Sequence, residues 1–204
     1  MTIEKYKGYI FDVDGTLYHQ RLVRFQMAIR LLCYYLPRPR MLKELVALYE
    51  FRRFREKNEF YTTSMDELYS IIGLKLGLCA ERVGQVIDRW MFHEPLDLLS
   101  KHKYEDVLEF ARRRKREGAK IVIYSDYPAL EKLSVMKMPY DMLYVSGEDG
   151  LKPSSKAMHR IIFESGLLRE DILYIGDRYE KDGLSAKLGG VAYLDIAAFR
   201  RQIV

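Results

Sequence analysis

Residues 9–17 read Tyr-Ile-Phe-Asp-Val-Asp-Gly-Thr-Leu, and this short stretch decides the fold. The run over residues 9–13 is apolar and rich in residue types that favour β-structure, and it stops abruptly at Asp14 and Gly15. Such a run predicts a buried strand that ends in a turn. Two carboxylates, Asp12 and Asp14, therefore stand at the end of the first predicted strand.

Four further apolar runs predict strands over residues 121–124, 142–145, 172–175 and 191–194. The stretches that lie before or between these runs are typical of helices. They cover residues 105–117, 129–136, 154–165 and 181–188. Strands that alternate with helices indicate an α/β fold, here a doubly wound parallel sheet with a Rossmann-like core. In such sheets ligands bind beyond the carboxyl ends of the strands.

The block over residues 22–92 lacks strands of this kind. It predicts amphipathic helices over residues 22–35, 39–57, 65–76 and 80–90, because apolar residues recur three and four positions apart. Ser64 and Glu67 have the spacing of a capping box at the start of the third of these helices. We therefore expect an α/β core of residues 1–18 and 98–204, interrupted by an α-helical cap of residues 19–97.

The chain carries a net charge of +5, with 34 Lys and Arg against 29 Asp and Glu. Residues 19–103 hold 15 of the basic and 10 of the acidic residues, a balance of +5, and the remainder holds 19 of each (34 − 15 and 29 − 10). The excess lies within one internal segment. It suits an anionic substrate or a set of solvated helix faces, and a nucleic-acid partner is not expected.

The composition otherwise indicates a globular protein, since 49% of the residues are hydrophobic. No apolar run approaches the roughly 18–20 residues of a membrane span, and residues 1–16 lack a signal-peptide core. The two cysteines, Cys33 and Cys79, do not indicate a disulfide framework. We expect a cytoplasmic protein with no membrane partner, either a monomer or a weak homo-oligomer.

Polar side chains follow each of the first four predicted strands. They are Asp12, Asp14, Gly15 and Thr16 after the first, Ser125 and Asp126 after the second, Lys152 in the loop after the third, and Asp177 and Asp182 after the fourth. Clustering this many carboxylates is costly unless a cation neutralises them. Hard carboxylate oxygens suggest Mg²⁺, which also binds substrate phosphate.

This order of motifs resembles the haloacid dehalogenase (HAD) superfamily, in its phosphatase branch with a helical (C1-type) cap. The resemblance rests on Asp-Val-Asp-Gly-Thr-Leu at 12–17, on Ser125, on Lys152-Pro153, and on Gly176-Asp177 followed by Asp182. The insertion falls where this superfamily places its cap, between the first and second motifs. Asp126 departs from the pattern, because a neutral residue is more frequent beside the motif serine.

The resemblance implies a phosphohydrolase that acts on a small phosphorylated metabolite through an aspartyl-phosphate intermediate. Asp12 would be the nucleophile and Asp14 the general acid and base. Ser125 and Lys152 would complete the catalytic set, and Gly15, Thr16 and Asp126 would join them in binding phosphate. Mg²⁺ would be held by the Asp12 carboxylate, the Asp14 backbone carbonyl, Asp177 and, through water or from a second layer, Asp182.

Two alternatives remain open from the sequence. A phosphomutase of the same superfamily would keep the same residues. A non-catalytic basic binding module on this fold is supported by the sequence pI of about 9.0. The presence of Asp14 argues against a dehalogenase, which displaces halide and needs no acid for an alkoxide leaving group.

Overall fold

The computed structural model describes residues 2–56, 64–147 and 150–203. The chain divides into two compact units, one of Met1–Gln20 with Leu99–Val204 and one of Arg21–Leu98. The described α-helices are α1 (Gln20–Tyr35), α2 (Leu42–Glu56), α3 (Met65–Leu76), α4 (Ala80–Ile87), α5 (Leu96–His102), α6 (Glu105–Arg116), α7 (Leu130–Met136), α8 (Ser155–Ser165), α9 (Leu184–Gly189) and α10 (Ile196–Ile203). Within the described residues, no helix is long and apolar enough to cross a membrane.

The first unit is built on one sheet of five parallel strands. These are β1 (Gly8–Phe11), β2 (Lys120–Ser125), β3 (Met142–Val145), β4 (Ile172–Gly176) and β5 (Ala192–Asp195). Their spatial order is β3-β2-β1-β4-β5, and every neighbouring pair is parallel. The predicted parallel α/β core is therefore confirmed. The chain winds outward from β1 in both directions, so the carboxyl ends of β1 and β4 flank the crevice where such sheets bind ligands.

Each face of the sheet is covered by helices. On one face, Met158 and Ile161 of α8 and Ala186 of α9 pack in a cluster with Ile10 and Tyr174. On the other, the rings of Tyr9, Phe11, Phe110 and Phe199 make edge-to-face contacts that join β1 to α6 and α10. The inner strands β1 and β4 are buried along their whole length, which explains their continuous apolar runs, whereas the edge strands β3 and β5 are only partly buried.

The first strand ends earlier than the sequence predicts. It stops at Phe11, because the Val13 carbonyl accepts the backbone amides of Thr16 and Leu17 and turns the chain. The Asp12 amide still donates to the Ile175 carbonyl at 3.0 Å. Asp12 is therefore the first residue beyond the strand, and its position is fixed by the neighbouring strand β4.

The predicted helix over residues 181–188 is divided in the structure. Residues Tyr179–Gly183 form one wide π-helical turn, and the α-helix α9 begins only at Leu184. The Arg178 carbonyl accepts the amides of both Lys181 and Asp182, which draws the turn closed. This turn carries Asp182 back toward the end of β4.

The second unit consists of helices, in line with the predicted helical insertion. A 3₁₀ turn at Pro39–Met41 precedes α2, and a π-helical segment at Asp88–His93 follows α4. Ser64 caps α3 by accepting the Glu67 amide at 3.2 Å. The predicted helix over residues 39–57 is α2 in the described part, and Lys57 lies outside the described residues. Phe51 and Phe54 are buried while Arg52 and Arg53 are exposed, as a solvated helix face requires.

Candidate active site

Asp12 lies at the centre of the site and is almost fully buried. Its Oδ1 accepts a hydrogen bond from Lys152 Nζ at 2.7 Å, and its Oδ2 accepts one from Thr16 Oγ1 at 3.3 Å. Thr16, which the sequence predicts to bind phosphate, thus orients the Asp12 carboxylate in this structure. Both contacts come from groups at the carboxyl edge of the sheet.

Gly15 makes the close approach of two loops possible. Its φ is +99°, in the region that favours glycine, and a Cβ there would lie 2.3 Å from Asp177 Oδ2. The turn after β1 can therefore lie directly against the loop after β4. A side chain at position 15 would collide with the Asp177 carboxylate, which would have to move.

Three carboxylates converge at the ends of β1 and β4. One oxygen each from Asp12, Asp177 and Asp182 lies within 4.8 Å of the others. Gly176 leaves room for this, because a Cβ there would lie 2.4 Å from the Asp182 side chain. The cluster combines hard oxygen donors of the kind that Mg²⁺ prefers.

The hydrogen bonds of the cluster distinguish its members. Asp182 Oδ1 accepts from Lys152 Nζ at 2.9 Å and Tyr174 OH at 3.0 Å, and its Oδ2 accepts from the Arg178 amide at 3.2 Å. Asp177 Oδ1, in contrast, is buried and accepts no hydrogen bond from any described residue. A buried oxygen that accepts no hydrogen bond is costly, and Arg178 Nε lies 4.0 Å away, so a metal ion would satisfy it. The residues thus fit a cation held by Asp177 and Asp12, with Asp182 engaged by protein donors behind them.

The crowding of these carboxylates shifts their titration. Burial raises the pKa of Asp12 to about 8; Lys152 opposes the shift and Asp182 adds to it. Burial and the Asp182 charge raise the pKa of Asp177 to about 6, against the effect of Arg178. In the metal-free protein both groups therefore hold protons more tightly than a carboxyl in water, as expected for a site that a cation would stabilise.

Lys152 is the buried cation of the site. Its side chain is 1% exposed and links Asp12 to Asp182. The Tyr124 and Tyr174 rings enclose its ammonium group, with centroids at 4.6 and 5.6 Å. Burial alone would lower the pKa of Lys152, but Asp12 and its other anionic neighbours outweigh burial and raise it. Lys152 is therefore a fixed positive charge beside the Asp12 carboxylate.

Asp14 is held apart from this cluster by its own partners. Its Oδ1 accepts from Lys132 Nζ of α7 at 2.6 Å and from the Tyr18 hydroxyl. Burial would raise the pKa of Asp14, but Lys132 and Tyr18 together lower it. Asp14 is thus a carboxylate at neutral pH in this arrangement.

Ser125 and Asp126 stand where β2 ends. Ser125 is fully buried, and its Oγ accepts the Tyr127 amide at 3.3 Å. Asp126 bonds to Lys181 at 2.8 Å and to Arg178 at 3.3 Å, both from the loop after β4. The additional carboxylate noted in the sequence is therefore paired with two cations. Burial would raise the pKa of Asp126, but the charges of Lys152 and Lys181 and the hydrogen bonds from Lys181 and Ser146 outweigh burial and lower it.

The structure brings all the predicted site residues to one edge of the sheet. Sequence reasoning missed Lys132 and Tyr18, which donate to Asp14, and Tyr174, which donates to Asp182. Lys132 lies in the middle of a helix, where a lysine ordinarily indicates a solvated face, yet it is only 8% exposed. No local motif marks such a residue, because its role depends on which turn α7 packs against.

Comparison with known proteins agrees with this geometry. Residues 6–190 match the family model of the haloacid dehalogenase-like hydrolases. Because the match covers most of the chain, the protein belongs to this family. No curated protein sequence matches the chain.

Solved structures share the fold at low sequence identity. YfnB of Bacillus subtilis, solved bound to magnesium, is 14% identical with a TM-score of 0.62 over 93% of this chain and 87% of that one. The 2-haloacid dehalogenase of Pseudomonas syringae pv. tomato is 15% identical, with a TM-score of 0.63 over 92% and 85%. CbbY of Rhodobacter sphaeroides, solved with phosphate, is 15% identical, with a TM-score of 0.57 over 93% and 85%. These likenesses establish a common fold.

Proposed function

We propose that this hydrolase is a magnesium-dependent phosphatase that cleaves a small phosphomonoester through an aspartyl-phosphate on Asp12. The observation that carries the proposal is the arrangement around Asp12. A buried carboxylate is held by Lys152, an unsatisfied carboxylate oxygen of Asp177 lies in the same cluster, and a second aspartate, Asp14, stands on the same turn. The magnesium-bound and phosphate-bound structures of related folds are compatible with it.

In the proposed first step, a carboxylate oxygen of Asp12 attacks phosphorus and the bond from phosphorus to the ester oxygen breaks. Lys152 and Thr16 hold the Asp12 carboxylate in one orientation, so little ordering remains to be done in the transition state. The Lys152 ammonium also offsets the negative charge of the nucleophile beside an anionic substrate. Mg²⁺, when bound by Asp12 and Asp177, would supply further compensation of phosphoryl charge.

In this proposal Asp14 is the general acid and the general base. It would give a proton to the departing ester oxygen and then take one from the water that attacks the aspartyl-phosphate. That attack breaks the bond between phosphorus and Asp12 and releases inorganic phosphate. Lys132 and Tyr18 favour the ionised form of Asp14, which suits the second step. For the first step Asp14 must carry a proton, which is the one it takes from water in the second step of the preceding turnover, and it must exchange the Lys132 contact for one with the substrate.

Asp14 also separates this proposal from a dehalogenase. A halide leaves as an anion without protonation, whereas the alkoxide of a phosphomonoester is a poor leaving group at neutral pH. The decisive experiment is a screen of the purified protein against phosphate esters and a 2-haloacid, each with Mg²⁺. Release of inorganic phosphate, and of no halide, is the expected result. Halide release alone would refute the phosphatase assignment.

Asp14→Asn is expected to lower kcat for an alkyl phosphate by about 10²–10⁴-fold, the usual contribution of general acid–base catalysis. The formation of phosphoenzyme from p-nitrophenyl phosphate should fall much less, because its leaving group needs no proton. Dephosphorylation should be slow, so that phosphoenzyme accumulates. Rapid-quench measurement of the phosphoenzyme tests both statements. If the rate of phosphoenzyme formation fell equally for the alkyl phosphate and for p-nitrophenyl phosphate, the role given to Asp14 would be wrong.

The thermal stabilisation by Mg²⁺ is expected to be larger at pH 8 than at pH 5.5. The folded-state pKa values of Asp12 and Asp177, about 8 and about 6, lie above the ordinary carboxyl value. The metal-free fold therefore loses stability as pH rises through these values, and Mg²⁺ must displace protons to bind below them. Melting temperatures with Mg²⁺ and with NaCl of equal ionic strength would measure the difference. An equal shift at both pH values would contradict the assignment of these two ligands.

A further inference from the structure

Helix α1 of the second unit has two apolar faces, one buried within the unit and one exposed to solvent. Val23, Met27 and Tyr35 are buried within the unit. On the opposite side lies a row of five large apolar side chains, which we term the outer stripe. It consists of Leu22, Phe25, Ile29, Leu32 and Leu36, and these residues are 43–73% exposed.

The outer stripe is regular. Its members follow one another at intervals of three and four residues, so they share one face of the helix. The Leu36 amide donates to the Leu32 carbonyl at 2.9 Å, which extends the helical turn to the last member. Singly exposed apolar residues need no explanation, but a continuous row of five marks an interaction surface.

The segment that carries the outer stripe contains charged residues of one sign, of which Arg30 is paired with Asp97 from outside the segment. Residues 15–43 contain six Lys and Arg and no Asp or Glu. Arg21 and Arg24 on α1, and Arg40 just after it, are exposed and have no ion-pair partner among the described residues. The first carboxylates beyond this segment, Glu44 and Glu50, are buried and paired with Arg82 and Lys75.

We infer that the outer stripe and its arginines dock this protein onto an anionic phospholipid surface. An amphipathic helix lies in a membrane interface when its apolar side chains enter the acyl boundary and its cations meet acidic headgroups. The stripe supplies the apolar side chains, and Arg21, Arg24 and Arg40 supply the unpaired cations. This inference differs from the expectation, drawn from the sequence, that no membrane takes part, and the experiment below decides between them.

A second copy of the chain satisfies the same observations less well. Pairing two outer stripes would place the arginines of one copy near those of the other, with no carboxylate between residues 15 and 43 to neutralise them. An anionic lipid surface removes that repulsion. The positive charge beside the outer stripe therefore favours an anionic lipid surface over a second copy of the chain.

The test uses the full chain and flotation with vesicles of phosphatidylcholine, alone or mixed with phosphatidylserine. Binding is expected only to the mixed vesicles and should weaken as salt rises. The double variants F25S/L32S and R21E/R24E should each reduce binding at least about tenfold. Phe163→Ser is the matched control, because Phe163 is an 85% exposed phenylalanine of α8 in the other unit. It should bind like the wild type.

Three results would overturn the inference: wild-type protein that stays unbound, F25S/L32S that floats like the wild type, or a dimer in sedimentation velocity that the same variant abolishes. Hydrolysis of a soluble aryl phosphate should be unchanged in F25S/L32S with an unchanged melting temperature. Its loss in a folded variant would assign the stripe to the active site instead. Absence of hydrolysis in the wild type would refute the proposed function and leave the vesicle result intact.

Discussion

Asp12→Asn should remove measurable phosphatase activity, a loss of at least about a thousandfold, and should prevent formation of any phosphoenzyme. The amide oxygen of asparagine is a poor nucleophile, and the substitution also removes the charge that Lys152 holds at 2.7 Å. Steady-state hydrolysis of p-nitrophenyl phosphate and acid-quench trapping of labelled phosphoenzyme measure the two losses. The substitution should not unfold the protein, because Lys152 keeps its contact with Asp182.

Asp171→Asn is the matched control for this variant. Asp171 immediately precedes β4, at the opposite end of the strand from Asp177, and it pairs with the exposed Lys7 at 3.0 Å. Removing an exposed pair of this kind changes stability by about 1 kcal/mol or less, and activity should be unchanged. Near wild-type turnover in Asp12→Asn would mean that another group attacks phosphorus.

The core of the fold and the position of the site were predictable for a physical reason. Polar motifs followed the first four short apolar runs, and parallel strands bring their carboxyl ends to one edge. Asp12, Ser125 and Asp177 therefore had to approach one another once the sheet was parallel. The boundaries were less predictable. The end of β1 at Phe11 depends on a turn closed by the Val13 carbonyl, which apolar content cannot reveal.

The partners of the site residues could not be predicted in the same way. Lys132 reaches Asp14 from a helix 118 positions along the chain, and Lys181 neutralises Asp126 from 55 positions away. Neither spacing is a local pattern. The charge of Asp126 could be noted in the sequence, but whether it is compensated depends on where the loop after β4 lies.

The outer stripe of α1 shows a second limit of sequence patterns. Apolar residues three and four apart predict a helix with a buried face, and Val23 and Met27 form such a face. Phe25 and Leu32 follow the same spacing on the other side of the helix. Periodicity counts both sets alike, so only the packed structure distinguishes the core face from the exposed one.

Removal of the metal is expected to be as damaging as removal of the nucleophile. Exhaustive chelation with EDTA should abolish hydrolysis of an aryl phosphate, and Mg²⁺ should restore it. Among the described site residues, five carboxylates (Asp12, Asp14, Asp126, Asp177 and Asp182) face four cations (Lys132, Lys152, Arg178 and Lys181). With these groups ionised, as they must be when Asp12 attacks phosphorus, the carboxylates outnumber the cations by one. A phosphomonoester dianion adds further negative charge, so it requires a further cation in order to bind. Ca²⁺ should restore little activity, because its larger and looser coordination would misplace the phosphate.

Asp177→Asn provides the sharper form of this experiment. It keeps the shape of the side chain but weakens the ligand whose buried Oδ1 has no hydrogen-bond partner among the described residues. The Mg²⁺ concentration for half-maximal activity should rise at least about tenfold, in the range seen when metal-site residues are altered. Asp12→Asn tests attack on phosphorus, whereas Asp177→Asn tests the metal alone, so rescue by excess Mg²⁺ should occur only in the latter. Full activity after chelation, or an unaltered Mg²⁺ requirement in Asp177→Asn, would show that the acidic cluster does not hold the catalytic cation.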